Sequence, residues 1–198
     1  LQFCRPFFYL KDFHGGRDSL LIIDVQEAID DPKWGARNNP DAEGNISKLL
    51  SYWRNGGSPV IHIRHDSQEP GSPYRPGQPG HAFKDVAEPF AHETVFGKKT
   101  NNAFVGTGLH DHLFDHDVDT LVICGVLTQH SVDTTARMAA SLGYRVVVVS
   151  DATAATGVTD ARGQVWTSED VHALTLTHLA ADYATIASTE DILAGFEV

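Results

Sequence analysis

The sequence predicts a single α/β domain built on a parallel sheet of about six strands, with helices on both faces. Three observations predict it. Short, continuously apolar runs such as "SLLIID" and "TLVICGV" read as strands buried on both faces. Segments with apolar residues at helical spacing fall between them. The two kinds of segment alternate along the 198 residues, which implies parallel strands joined by right-handed crossovers. The length suits one folding unit, and neither an internal repeat nor an interdomain linker divides it.

The opening "LQFCRPFFYLKDFHGG" is aromatic but carries Arg5, Lys11 and Asp12 and lacks a small-residue cleavage site, so residues 1–18 read as a tail, a trimmed start or a vector-derived remnant. The domain is expected over 19–198. Its first strand is "SLLIID", Ser19 to Asp24. After a loop with Pro32, Gly35 and Pro40, the residues Ile46, Leu49, Leu50 and Trp53 mark a helix that Gly56 and Gly57 stop. "PVIHIR", Pro59 to Arg64, is the second strand. The Pro- and Gly-rich segment after it has no period, and long loops inside compact domains are usually functional. A third strand is expected near "ETVFGK" and a helix over "GLHDHLFDH". "TLVICGV" forms the fourth strand, Val132 to Leu142 a helix, "RVVVVSD" the fifth strand and "SEDVHALTLTHLAADY" a helix. The strand "ATIAS" and a last helical turn at "TEDILAG" complete the order.

Composition narrows the partners. The formal charge of −11 repels nucleic acid phosphates and anionic lipid, leaving a small-molecule substrate as the expectation, without nucleic acid or membrane. No apolar run approaches the ~20 residues of a spanning helix. The two cysteines, Cys4 and Cys124, form no disulfide framework and fit a reducing cytoplasm.

In a parallel sheet ligands bind beyond the carboxyl ends of the strands. Asp24 closes the first strand, where partial desolvation would raise its proton affinity toward that of a general base; a cap role also fits an aspartate there. Lys98 and Lys99 follow the third strand. Adjacent residues of an extended segment point to opposite sides, so only one can face Asp24, and a surface pair is the alternative. Ser131 follows the turn "GVLTQH" at the start of an Ala-rich helix. Free backbone N–H groups at that end could form an oxyanion hole beside a nucleophile, although serine is also a common helix N-cap.

Three motifs, "LLIIDVQ", "KKTNNAFVGTGL" and "VICGVLTQHSVDTTARMAASLGYRVVVVSDATAA", resemble the isochorismatase-like cysteine hydrolases, the superfamily that includes nicotinamidases and other amidohydrolases. The resemblance spans about Ser19 to Leu193 and implies a Rossmann-type layered fold. It implies Asp24 as general base with Gln26 behind it. Lys98, six residues before Phe104 of the family's N/S-A-F motif, is the implied lysine, with Lys99 pointing outward. It also implies a cis peptide between Val126 and Leu127 that aims the Leu127 and Ser131 amides at a substrate carbonyl. A homodimer or homotetramer and no cofactor are implied as well.

The departure from the family is at the nucleophile, where most members have cysteine and this chain has Ser131. A thiol of pKa about 8.5 can yield its proton to a carboxylate far more readily than a hydroxyl can, so attack by Ser131 is expected to be weaker by several powers of ten. Cys124 precedes the turn and reads as a core residue. The expectation is therefore a hydrolase of a small amide or ureido C–N bond in an inactivated form, whether a deliberate Cys-to-Ser variant or a natural protein with altered chemistry. The alternatives are vinyl ether hydrolysis of the isochorismatase type, which needs no cysteine, and silent binding of a small molecule.

Trp34, His65, Arg75, Phe83 and Asn102 are further candidates for lining or supporting the pocket. Among the 11 histidines, His112 and His116 lie four apart on one helix face, but alternation with Asp on a solvated helix explains the run, and no metal is expected. The nicotinamidase D-x-H metal motif is replaced here by "RHDS", Arg64 to Ser67.

Overall fold

A computed structural model describes residues 18–195 of the chain. Of the tail expected over 1–18, Asp18 is the first residue of the first strand and the rest lies outside the described residues, as do the last three residues of the expected domain.

The alternation of apolar runs and helical segments produces one six-stranded parallel sheet. Its strands are β1 (Asp18–Ile23), β2 (Val60–His65), β3 (Thr94–Lys98), β4 (Thr120–Val126) and β5 (Arg145–Ala154). After a small antiparallel hairpin of β6 (Val158–Thr159) and β7 (Val165–Trp166), β8 (Thr185–Ala187) completes it. The order is β3-β2-β1-β4-β5-β8. The chain steps outward from β1 to β3, then crosses back to lay β4 against the other side of β1. That reversal is a topological switch point, where the connections beyond β1 and β4 diverge and leave a crevice.

Side chains alternate across the sheet. Leu21 and Ile23 of β1, with Ile61, Ile63, Leu121 and Ile123, pack under α2 (Leu109–Asp115), α3 (Asp133–Ser141) and α4 (Ser168–Asp182). Leu20 and Ile22, with Val122, Cys124 and Val147, pack under α1 (Ala42–Gly56) and α5 (Thr189–Leu193). Ile46, Leu49, Leu50 and Trp53 supply the buried face of α1, each contributing roughly 1.5–3 kcal/mol. Gly57, at φ 67°, ends that helix in the left-handed conformation expected of a glycine cap. Capping boxes open α4 (Thr167 with Asp170) and α5 (Ser188 with Asp191).

Two local features differ from expectation. The helix expected over Val132 to Leu142 is preceded by a π-helical turn, Thr128–Val132, and the α-helix proper spans Asp133–Ser141. Periodicity marks the apolar face without distinguishing i+4 from i+5 bonding. The β6–β7 hairpin was not anticipated, because two-residue strands with exposed side chains carry no alternation. The long loop after β2 folds back over the segment beyond β1. Glu27 N–H donates to Ala82 O, Lys84 N–H donates to Val25 O, and Gln26 bridges Phe83.

Candidate active site

The carboxyl ends of β1, β3 and β4 converge. Asp24 follows β1 with φ 56°, a left-handed conformation that aspartate tolerates better than most residues. Its N–H still donates to Ile63 O, at 2.8 Å, so the turn is tied to β2. Lys98 is the last residue of β3, in register with His65 of β2, and Asp66 N–H donates to Lys98 O at 2.7 Å. Alternation sends its side chain inward and that of Lys99 outward: Lys98 is buried and Lys99 exposed. Ser131 lies inside the π turn after β4. It serves as no helix cap, since α3 has no side-chain cap bond.

The Lys98 ammonium joins the three. It donates to Asp24 Oδ2 at 2.6 Å and to Ser131 Oγ at 3.0 Å, and lies 3.3 Å from His65 Nδ1. Lys98 is 0% exposed, and Asp24 and Ser131 are 4% exposed each. Asp24 Oδ1 is buried without a hydrogen-bond partner among the described residues. A carboxylate oxygen so placed is an acceptor available to a proton or a donor.

The turn that carries Ser131 is wound so that Leu127 O accepts from His130 N–H at 3.0 Å and Val132 N–H at 3.3 Å, passing over the Ser131 N–H between them. The Val126–Leu127 peptide is cis. Thr128 Oγ1 bonds His172 Nδ1 at 2.9 Å, anchoring the start of the turn to α4, and Gln129 Nε2 reaches Thr156 O at 3.3 Å. Gly125 permits the approach of β4 to β1: at φ 118°, a Cβ there would collide with the backbone of Ile23.

Gln26 is buried and stands behind the group as a brace. Its Oε1 accepts from His65 N–H at 2.7 Å, and its Nε2 donates to His65 O at 3.3 Å and His81 O at 2.8 Å. The glutamine thus locks the end of β2 to that of β1.

A cavity of about 440 Å³ opens over these residues, with Asp24, His65 and Ser131 in its wall. Trp34 lines it too, held by a bond from Nε1 to Ala28 O at 2.7 Å and packed against Tyr74 at 6.1 Å between centroids. Three candidates are not on this wall. Arg75 is exposed, because the turn that buries Tyr74 points the next residue outward. Phe83 packs edge-on against His62, 5.8 Å away. Asn102 folds toward α3, donating to Thr134 O at 3.0 Å and accepting from Phe104 N–H at 2.9 Å, while its neighbour Asn101 lines the cavity. The wall also holds Tyr74, Asn101 and His130, none of them singled out as a site residue by the sequence: Tyr74 falls in the aperiodic loop, and Asn101 and His130 fall in the segments just past the third and fourth strands, where ligands are expected to bind.

Burial and the Lys98 ammonium lower the proton affinity of His65, against the opposing pull of Asp24 and Asp66. Burial lowers that of His130. Burial and the Asp24 charge keep the Tyr74 phenol protonated far above its ordinary range. The cavity wall is therefore neutral at pH 7 at these three positions. On α2 and just past it, the rings of His112 and His116 lie 4.2 Å apart between centroids and tilted by 37°, with His116 Nδ1 2.8 Å from His112 O. Among the described residues no group of three or more His, Cys, Asp or Glu is arranged to hold a metal ion, and no helix is long and apolar enough to cross a membrane.

The Isochorismatase domain family model matches residues 18–191 of the chain. The chain is 41% identical over 180 residues to the uncharacterized isochorismatase family protein YrdC of Bacillus subtilis, spanning 91% of this chain and 96% of that one. It is 37% identical over 148 residues to a streptothricin hydrolase of Streptomyces noursei, spanning 73% of this chain and 57% of that one. A crystal structure from Chromobacterium violaceum, assigned to the isochorismatase family, superposes with a TM-score of 0.88 at 48% identity, over 91% of this chain and 93% of that one.

Proposed function

The chain belongs to the isochorismatase family, and from that premise we propose that it is a hydrolase of the C–N bond of a small amide or ureido compound, with position 131 as the nucleophile. The observation that carries the reading is the buried Lys98 ammonium bonded to both Asp24 Oδ2 and Ser131 Oγ at the cavity. The similarity to a streptothricin hydrolase supports hydrolytic chemistry in a relative.

As Ser131 Oγ attacks the substrate carbonyl carbon, its proton passes to the Asp24 carboxylate. The negative charge that develops on the carbonyl oxygen is held by the N–H groups of Leu127 and Ser131. Collapse breaks the C–N bond, and the departing amine takes the proton from Asp24, leaving an acyl group on Oγ. Water then gives a proton to Asp24 and attacks the acyl carbon. The second collapse returns the proton to Oγ and releases the acid. Lys98 orients base and nucleophile throughout. With a hydroxyl in place of a thiol, the first step is slow, and the chain as written turns over several powers of ten below a Ser131→Cys form.

The test is a panel of small amides and ureido compounds assayed for released ammonia or amine with the Ser131→Cys protein, with isochorismate alongside as a vinyl ether. Ammonia or amine release that Asp24→Ala abolishes supports the reading. Pyruvate release by the native chain, abolished in Asp24→Ala, assigns vinyl ether cleavage instead. A ligand that raises the melting temperature while neither form turns anything over assigns silent binding.

A further inference from the structure

The Lys98 ammonium has three N–H bonds and three polar neighbours, Asp24 Oδ2 at 2.6 Å, Ser131 Oγ at 3.0 Å and His65 Nδ1 at 3.3 Å. An ammonium can only donate, so a ring nitrogen facing it does so as an acceptor, which requires a neutral imidazole with its proton on Nε2. We infer that His65 is a positioning residue that completes the hydrogen-bond shell of Lys98, and that protonation of His65 breaks this shell and switches the site off in acid. The catalytic consequence rests on the reading of Asp24, Lys98 and Ser131 given above; the hydrogen-bonding state of His65 does not.

The backbone and packing around His65 suit such a role. Gln26 clamps its N–H and its carbonyl, at 2.7 Å and 3.3 Å. Its register partner across the β2–β3 pair is Lys98 itself. The ring packs edge-on to Tyr74, 5.5 Å between centroids. A ring fixed on these sides presents Nδ1 to Lys98 with little freedom to turn away.

The charged and titratable groups that face His65 come from four directions: Lys98 on β3, Asp24 after β1, Asp66 just past β2, and His81 in the turn Pro79–His81. Tyr74 adds a neutral phenol. Burial and Lys98 disfavour the imidazolium and outweigh the two carboxylates. The neutral acceptor therefore prevails around pH 7. On acidification, the second ring proton turns Nδ1 from acceptor into donor, and two cations then stand at one contact.

A second consequence concerns the substrate. With all three N–H bonds engaged inside the protein, Lys98 has none left for a carbonyl oxygen, so the oxyanion rests on backbone amides alone.

Nitrogen-detected NMR of the histidine rings in the full chain tests the inference without a substrate, with the His65 signals assigned by their loss in His65→Asn. The expected result is the Nε2–H tautomer at pH 7, with a protonation midpoint below that of a free imidazole that rises when Lys98→Met removes the neighbouring cation. An Nδ1–H tautomer or an imidazolium at pH 7 overturns the inference, and this arm needs no variant beyond the assignment. With any amide that Ser131→Cys turns over, His65→Asn, whose Oδ1 can replace the Nδ1 acceptor, is expected to retain kcat within about threefold and to lose the acid limb set by His65. His65→Phe is expected to lower kcat at least tenfold with KM little changed. Equal loss in the Asn and Phe variants contradicts the role. If Ser131→Cys hydrolyses nothing, the amidase reading fails, while the tautomer and its midpoint still decide the state of His65.

Discussion

Lys98 Nζ lies 2.6 Å from Asp24 Oδ2 beside the cavity, the lysine side chain 0% and the aspartate side chain 6% exposed. Taking two such charges out of water is costly, and the pair persists because each compensates the other and Ser131 and His65 accept the remaining ammonium protons. The arrangement holds together a set of groups drawn from three strand ends.

Breaking that pair one side at a time is expected to be strongly destabilising. Asp24→Leu and Lys98→Met should each cost about 3–5 kcal/mol, since each leaves a buried charge uncompensated. The double variant should lose less than the sum of the two. Urea unfolding of all three measures this; single variants with unchanged midpoints would contradict the buried pair.

A second ionic cluster, away from the cavity, sets an acid limit on stability. Glu93 accepts from Arg54 Nε at 2.7 Å, from Phe90 N–H at 2.8 Å and from Arg54 Nη2 at 2.9 Å, and its Oε2 lies 2.9 Å from His62 Nε2. Against the burial that would raise it, these partners, Arg54 foremost, hold its carboxyl down from 4.5 to about 2. Because the folded-state value lies below the unfolded one, the stabilisation is complete above about pH 4.5 and is lost as the pH falls through about 2. Glu93→Gln should cost on the order of 3 kcal/mol at pH 7 and close to nothing at pH 2. Denaturant midpoints across that range test it, and a pH-independent difference would contradict it.

Gly125→Ala should destabilise the protein by more than about 2 kcal/mol. The residue has φ 118°, and the added methyl would meet backbone atoms of Ile23 on the paired strand. Neither strand can yield without disturbing the other. Thermal unfolding gives the answer; a melting temperature within a degree of the native one would contradict the contact.

Cys124 should be inert in the folded protein. Its side chain is buried among the residues under α1, and burial pushes its thiol far above the ordinary range. Alkylation read on the peptide that contains Cys124 is expected only after unfolding. Cys124→Ala should leave the turnover of the Ser131→Cys protein unchanged, which separates this thiol from the chemistry at position 131.

Much of this arrangement was legible in the sequence because it follows from periods and strand ends. The six sheet strands were legible, the buried ones such as β1 and β4 from continuous apolar runs, while alternation required only that one lysine of the pair face inward and the family resemblance picked out Lys98 over Lys99. Where no period exists, the reading failed. The aperiodic loop after β2 contributed Tyr74 to the cavity, whereas Arg75 one residue later points to solvent and Phe83 packs against His62. Asn102 was the candidate, yet Asn101 lines the cavity and Asn102 bonds Thr134 O, for the same reason: a turn obeys no alternation. The contact of His65 with Lys98 depends on the pairing register of β2 with β3, which no local pattern encodes.

In the proposed reaction the side chain at position 131 supplies the attacking atom. The most direct measurement is the rate of ammonia or amine release from one amide by three proteins, the native chain, Ser131→Cys and Ser131→Ala. The predicted result is release at least a thousandfold faster with cysteine than with serine, and none above background with alanine. Release by Ser131→Ala at the rate of the native or the cysteine form would contradict the account, because no atom at that position would then be needed for the bond to break.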